Sequence, residues 1–197
     1  MGEIILLRHG QTEWAKQGRH TGRTDVPLTA EGEQRARAAA GLLAEHKIIA
    51  AWSSPAIRAR RTAELAGLPV RDTDPDLWEW DYGAYEGRTT PEIQRERPGW
   101  YLWTDGVLPG GPGGFPGETV EQVGARCDRV IERVKPLVAH GHVLRILAAR
   151  WLGLPAAAGR YFLLSTASVS ALGFEHERPA ISLWNLTAPD RPQISAG

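Results

Sequence analysis

Along this chain, apolar runs end in polar, glycine-containing corners, and most corners open an amphipathic stretch of helical period. Ile4-Ile5-Leu6-Leu7 is a run of four aliphatics, the pattern of a strand buried on both faces, and it stops at Arg8-His9-Gly10. A strand at 3–7 leaves Arg8 and His9 at its carboxyl end, where open α/β sheets place their ligand crevices. Glu13 to Leu28, rich in Gly, Thr, Arg and His, predicts a long irregular loop. Thr29 is a good N-cap for a helix with Glu31 and Glu33 in its first turn and an apolar stripe of Ala36, Ala39, Ala40, Leu42 and Leu43, ending near His46. Residues 48–52 predict a second strand. It delivers the corner Ser53-Ser54-Pro55 and a helix over 57–66 that carries Arg58, Arg60 and Arg61.

Leu68-Pro69-Val70 predicts a short third strand, followed by a turn-rich passage from Asp72 to Asp76. The stretch 77–103 holds four of the eight tryptophans and three of the four tyrosines, mixed with Glu79, Asp81, Glu86 and Arg88, so its rings divide between core and cleft wall. Thr90-Pro91-Glu92 opens a short helix with proline at its first position. Residues 109–117 contain five glycines and three prolines and predict a flexible lid or loop. A helix then starts at Gly117-Glu118-Thr119 and runs to Lys135, with Val120, Val123, Cys127, Val130, Ile131 and Val134 at helical spacing. Pro136-Leu137-Val138-Ala139 must serve as both turn and central strand, a connection short enough to suggest a trimmed loop. His140-Gly141-His142 is the next corner, before a helix over 143–152 closed by Gly153. Strands are expected at 160–176 and 180–186, then a frayed tail, centred on 189–197. Without a repeat or linker, the pattern predicts one α/β domain spanning 1–197.

Composition narrows the partners. Lys plus Arg and Asp plus Glu are equal at 23 each, so the net field gives no reason to expect nucleic acid or an anionic membrane. The single cysteine, Cys127, excludes an intramolecular disulfide and fits a reducing compartment. The amino-terminal aliphatic run is too short for a signal segment, and no apolar run approaches ~20 residues, so a cytoplasmic protein is the expectation.

Three strand-end corners bring Arg8 with His9, Arg58, and His140 toward one edge of the sheet. A phosphoryl group in transfer is stabilised by positioned cations and N–H donors, and the planar guanidinium fork pairs two oxygens at once. One histidine can attack phosphorus while the other, kept protonated, binds the oxyanion. Glu79, enclosed by Trp78, Trp80 and Tyr82, is the candidate proton donor, because desolvation favours a protonated carboxyl group. Arg19, His20 and Arg23 are candidates for a second phosphate.

Arg8-His9-Gly10-Gln11-Thr12-Glu13-Trp14, with Thr21-Gly22, Leu28-Thr29 and Gly32, resembles the signature of the histidine phosphatase superfamily, phosphoglycerate mutase-like branch. The resemblance continues through Ser53-Ser54-Pro55 with Arg58 and Thr62-Ala63, Leu77-x-Glu79 to Glu86-Gly87, Gly117-Glu118-Thr119 and Ala139-His140-Gly141-His142. It implies a three-layer α/β/α sandwich with a mostly parallel sheet, a phosphohistidine intermediate on His9, and no metal or cofactor. By motif position it implies catalytic roles for Arg8, Arg58, Glu79 and His140, and substrate contacts from Gln11, Thr12, Thr21, Gly22, Tyr82, Gly141 and His142. The 77–87 and 103–106 segments are more similar to broad-specificity acid phosphatases and sedoheptulose-bisphosphatase-like members than to mutases. Ala15 stands where members often carry Asn, and no Lys or adjacent Arg pair lies between Arg88 and Gly117 to grip a mutase substrate's carboxylate. The expected activity is therefore metal-independent hydrolysis of small phosphorylated metabolites, sugar phosphates above all. A phosphoglycerate mutase and a non-catalytic phospho-ligand binding protein are the alternatives. Family members occur as monomers, dimers or larger assemblies, so a homodimer is one expected form.

Overall fold

A computed structural model describes residues 3–111, 113–133 and 137–189. In chain order its elements are β1 (Ile4–Arg8), α1 (Glu13–Lys16), α2 (Ala30–Leu43), β2 (Ala51–Ser53), α3 (Ile57–Leu65) and β3 (Val70–Thr73). They continue with α4 (Thr90–Glu96), α5 (Leu102–Asp105), α6 (Val120–Arg133), β4 (Leu137–Ala139), α7 (Gly141–Trp151), β5 (Val169–Glu175) and β6 (Arg178–Leu186). Short 3-10 helices occupy Pro75–Leu77, Gly83–Tyr85 and Ala156–Tyr161.

The six strands form one sheet in the order β3-β2-β4-β1-β5-β6. β3, β2, β4 and β1 pair in parallel, and β5 and β6 pair antiparallel at the other side. Successive residues of β1 point to opposite faces. Ile4 and Leu6 pack with Val123, Cys127, Leu144 and Leu147 of α6 and α7, and Ile5 and Leu7 pack with Ala39, Leu43, Ala59 and Ala63 of α2 and α3. This is the expected α/β/α sandwich. Each aliphatic so buried contributes about 1.5–3 kcal/mol, which anchors the corner that follows β1. Among the described residues no helix is long and apolar enough to cross a membrane.

Several expectations need correcting. The 13–28 loop opens with the one-turn helix α1, because Thr12 Oγ1 accepts the Ala15 N–H at 3.1 Å and caps it. The second strand is shifted to Ala51–Ser53, and Ile49 is 80% exposed outside it. The third lies at Val70–Thr73 as an exposed edge strand, so part of the expected turn is strand. α4 is capped by Thr89 through a capping box with Glu92. Residues 156–161 are 3-10 helix, and the strand expected from 160 begins only at Val169. α7 starts at Gly141, which places His142 inside its first turn. The aromatic stretch is mainly core: Trp80, Tyr82, Tyr85, Trp100 and Trp103 are buried. In the glycine-rich segment, Gly110 N–H bonds Phe115 O at 3.1 Å and Gly114 N–H bonds Gly111 O at 3.1 Å, so it forms hydrogen-bonded turns of its own. β4 is three residues long and central to the sheet. The end of the expected helix and the expected turn, at 134–136, and the expected tail from 190 lie outside the described residues.

Candidate active site

Parallel strands deliver their carboxyl ends to one edge, and here β1, β2 and β4 do so. His9 N–H bonds the carbonyl of Ala139 at 2.9 Å, and Ser54 N–H bonds that of Val138 at 2.9 Å, so the three corners are stitched together by main chain. Arg58 approaches from α3.

His9 is 5% exposed, and its Nδ1 lies 2.7 Å from the carbonyl oxygen of Gly10. A carbonyl only accepts, so Nδ1 carries the hydrogen and Nε2 keeps a free lone pair. Burial, with Arg58 and Arg8 beside it, holds the imidazole's pKa well below its usual value. The ring is therefore a neutral base and nucleophile near neutral pH. His140 lies edge-on at 5.0 Å between ring centroids.

The expectation that His140 stays protonated is not met. Its Nδ1 accepts a hydrogen bond from Arg58 Nε at 3.2 Å, and its Nε2 lies 2.7 Å from Ser54 Oγ. A nitrogen accepting from guanidinium carries no proton, and burial with the Arg58 charge lowers the ring's pKa well below the ordinary range. In this arrangement His140 is a neutral donor to Ser54.

Arg58 is fully buried, and its guanidinium is largely committed to the chain: Nη1 donates to Thr24 O at 2.9 Å, and Nη2 to Thr21 O at 3.1 Å and Gly22 O at 2.9 Å. With Nε on His140, four of the five guanidinium N–H groups are engaged, leaving one for a ligand. Arg8 is the more open cation. Nη1 donates to Leu164 O, while the buried Nε has no partner among the described residues. Gly141 makes room for this plate, since a Cβ there would lie 3.1 Å from Arg8 Cζ. The Gly141 N–H, first in α7, thus opens beside Arg8 at the positive end of the helix dipole.

Glu79 spans the site to α7. Its Oε1 accepts from Trp80 N–H at 3.0 Å and Val143 N–H at 2.9 Å, and its Oε2 accepts from His142 N–H at 3.0 Å. The enclosing rings were expected to favour a protonated carboxyl. Besides those rings, three main-chain donors meet it and cap the start of α7. Tyr82 Oη and His142 Nδ1 are 2.7 Å apart, and both side chains are linked to this cluster.

The remaining expected contacts are mixed. Gln11 Oε1 accepts from Thr29 Oγ1 at 3.1 Å. Thr12 is fully buried and spent as the α1 cap. Thr21 and Gly22 give their carbonyls to Arg58, and the Gly22 N–H is taken by Glu86, 3.0 Å from each oxygen. A side chain at 22 would collide with Trp80 O at 2.6 Å. Of the second-phosphate candidates, Arg19 Nη1 binds Gly87 O at 2.6 Å, and burial drops the His20 pKa to about 4, leaving it uncharged near neutrality. Arg23 sits 5.3 Å over the Trp78 ring and 3.8 Å from Glu118, its charge compensated. Ser54, Glu86 and Leu164 were not singled out from sequence. Ser54 lay in the quoted strand-end corner and Glu86 in a quoted motif, but a main-chain carbonyl such as that of Leu164 leaves no sequence signal. Among the described residues no three His, Cys, Asp or Glu side chains form a group able to hold a metal.

The model of the histidine phosphatase superfamily (branch 1) matches residues 4–187. The chain belongs to this superfamily. It is 41% identical over 204 residues to an acid phosphatase of Mycobacterium tuberculosis, covering 98% of this chain and 97% of that one. It is 38% identical over 190 residues to sedoheptulose 1,7-bisphosphatase of Saccharomyces cerevisiae, covering 76% and 67%. A solved structure of a Mycobacterium tuberculosis open reading frame superposes with a TM-score of 0.85 at 40% identity, covering 95% of this chain and 98% of that chain. Superfamily membership accounts for the order of the corner motifs, and the hydrogen bonds show what holds them together.

Proposed function

We propose that this chain hydrolyses small phosphate monoesters, sugar phosphates among them, through a phosphohistidine on His9. The observation that carries this reading is an imidazole fixed in one tautomer, with Nε2 free and its neutral form favoured by burial and two guanidinium groups. In the first step Nε2 attacks phosphorus, the bond from phosphorus to the ester oxygen breaks, and the leaving alkoxide takes a proton from Glu79. In the second, water gives a proton back to Glu79 as its oxygen bonds phosphorus; the phosphorus–nitrogen bond breaks and inorganic phosphate leaves. Arg8 and the Gly141 N–H face the non-bridging oxygens, and Arg58 supplies its one remaining N–H. Glu79 carries its proton into the first step and water restores it in the second, so the cycle closes; His142 Nδ1 lies 3.9 Å from Glu79 Oε2 and is bonded to Tyr82.

The kinship with an acid phosphatase and a sugar bisphosphatase supports hydrolysis over the mutase reading. So does the commitment of Arg97 Nη1 to Tyr85 Oη at 2.7 Å, which removes one of the few cations after Arg88. The test is phosphate release from p-nitrophenyl phosphate and a sugar-phosphate panel, with and without chelator, together with acid-labile phosphate trapped on the protein. Turnover that survives chelation with label on His9 is expected. Loss of activity on chelation, or phosphate exchange with no net release, overturns the proposal.

A further inference from the structure

Arg145 is a third fixed cation near the site, after Arg8 and Arg58. It follows His142 by three residues on α7, so the two side chains share one side of the helix. Its Nε donates to Gly159 O at 3.1 Å and its Nη2 to Arg160 O at 3.0 Å, while the guanidinium lies 4.8 Å over the Trp103 ring. Trp103 in turn packs 5.3 Å from His142. The seat is tight, since a Cβ on Gly159 would come within 3.0 Å of the Trp103 ring. The segment that supplies these carbonyls also supplies Leu164 O to Arg8, so one stretch of chain orients both arginines. Glu79 acts electrostatically on both.

Charge compensation separates Arg145 from its neighbours Arg126 and Arg150 on α6 and α7. Arg126 is paired with Glu118 at 2.9 Å and Arg150 with Asp128 at 2.8 Å, but Arg145 has no carboxylate partner and its Nη1 no acceptor among the described residues. Burial lowers its pKa, the mark of a desolvated cation lacking full compensation. An immobilised fork with an open donor, stacked on an indole, suits a planar or tetrahedral oxyanion.

We propose that Arg145 determines specificity by binding a second anionic group of the substrate, a phosphate or a carboxylate, remote from the phosphoryl group that is transferred. This rests on the hydrolase reading above. The test compares kcat/KM for a sugar bisphosphate, for 3-phosphoglycerate and for p-nitrophenyl phosphate, which lacks a second anion, in the wild type, Arg145→Met and Arg145→Lys. The expected result for Arg145→Met is a fall of about tenfold or more in the ratio of a doubly anionic substrate to p-nitrophenyl phosphate, carried by KM, with partial recovery in Arg145→Lys. A fall confined to the bisphosphate identifies phosphate as the partner, and one confined to 3-phosphoglycerate identifies carboxylate. An unchanged ratio, or an equal loss on all three substrates as a merely structural prop for Trp103 would give, overturns the inference. Failure of the wild type to release phosphate from any of the three overturns the hydrolase reading itself.

Discussion

The two sides of the sheet contribute to the site in different ways. β1, β2 and β4 run in one direction, so their carboxyl ends bring Arg8-His9, Ser53-Ser54 and His140 to a single edge. β5 runs the other way and meets that edge with its amino end, where it gives main chain only. Ser168 O accepts the Arg8 N–H at 3.1 Å, and Ala167 N–H is shared between the carbonyls of Arg8 and His9, both at 3.1 Å. Ala167 does this at φ 56°, a left-handed conformation that costs an alanine roughly 1–2 kcal/mol. The parallel side supplies reactive side chains, and the antiparallel side braces the backbone beneath them. Strand direction, more than depth of burial, decides which contribution an element makes.

Substitutions should separate these contributions. The largest expected effect is from His9→Ala, a loss of at least about 10⁴-fold in kcat for every substrate, read by steady-state kinetics with folding checked by circular dichroism. Residual turnover near wild type would remove His9 from the chemistry. Arg58→Ala should cost about 3–5 kcal/mol in urea unfolding, because it leaves the buried Gly22 carbonyl, the half-buried Thr21 and Thr24 carbonyls and buried His140 without their donor. A loss below 1 kcal/mol would show that those bonds are not what holds the 21–24 loop.

Glu79→Gln should lower kcat by about 10²–10³-fold on sugar phosphates and by less than tenfold on p-nitrophenyl phosphate, whose leaving group needs no acid. Equal losses would leave Glu79 as a helix cap alone. Acid should destabilise the parallel side. His9, His20, His140 and His142 all have lowered pKa values when folded, so below pH 6.5 the unfolded chain binds more protons and stability falls with pH. For His20 the window runs from 6.5 to about 4, a loss of at most roughly 3 kcal/mol, and His20→Phe should flatten that part of a urea-melt series. On the bracing side, Ser182→Ala removes a 2.6 Å bond to Glu3 near the surface. It should cost under about 1 kcal/mol and leave kcat/KM unaltered; a marked loss of turnover would blur the division between the two sides.

How much of this was legible in the sequence follows from the range of the interactions. The aliphatic run at 4–7 and the corners at 8–10, 53–55 and 140–142 are local patterns, and they gave both the α/β class and the convergence of Arg8, His9, Arg58 and His140. Strand limits were less legible, because three-residue strands such as β2 and β4 are too short to show a period and are defined by neighbours far along the chain. The split of the aromatics into core and wall was hidden for the same reason. Ionisation was the least legible: the neutral His140 depends on Arg58, 82 residues away, and the occupied oxygens of Glu79 depend on N–H groups 63 and 64 residues away. The oxyanion role assigned to His140 suggested a protonated ring, and none of these distant contacts shows in the local sequence.

The bonds between Glu79 and the first turn of α7 carry a mechanical implication. A carboxyl group that takes up a proton weakens as an acceptor, so loading the acid loosens the grip on His142 and Val143, and releasing the proton to an alkoxide tightens it again. Departure of the leaving group would then be accompanied by a firmer start to the helix that points its Gly141 N–H at the phosphoenzyme.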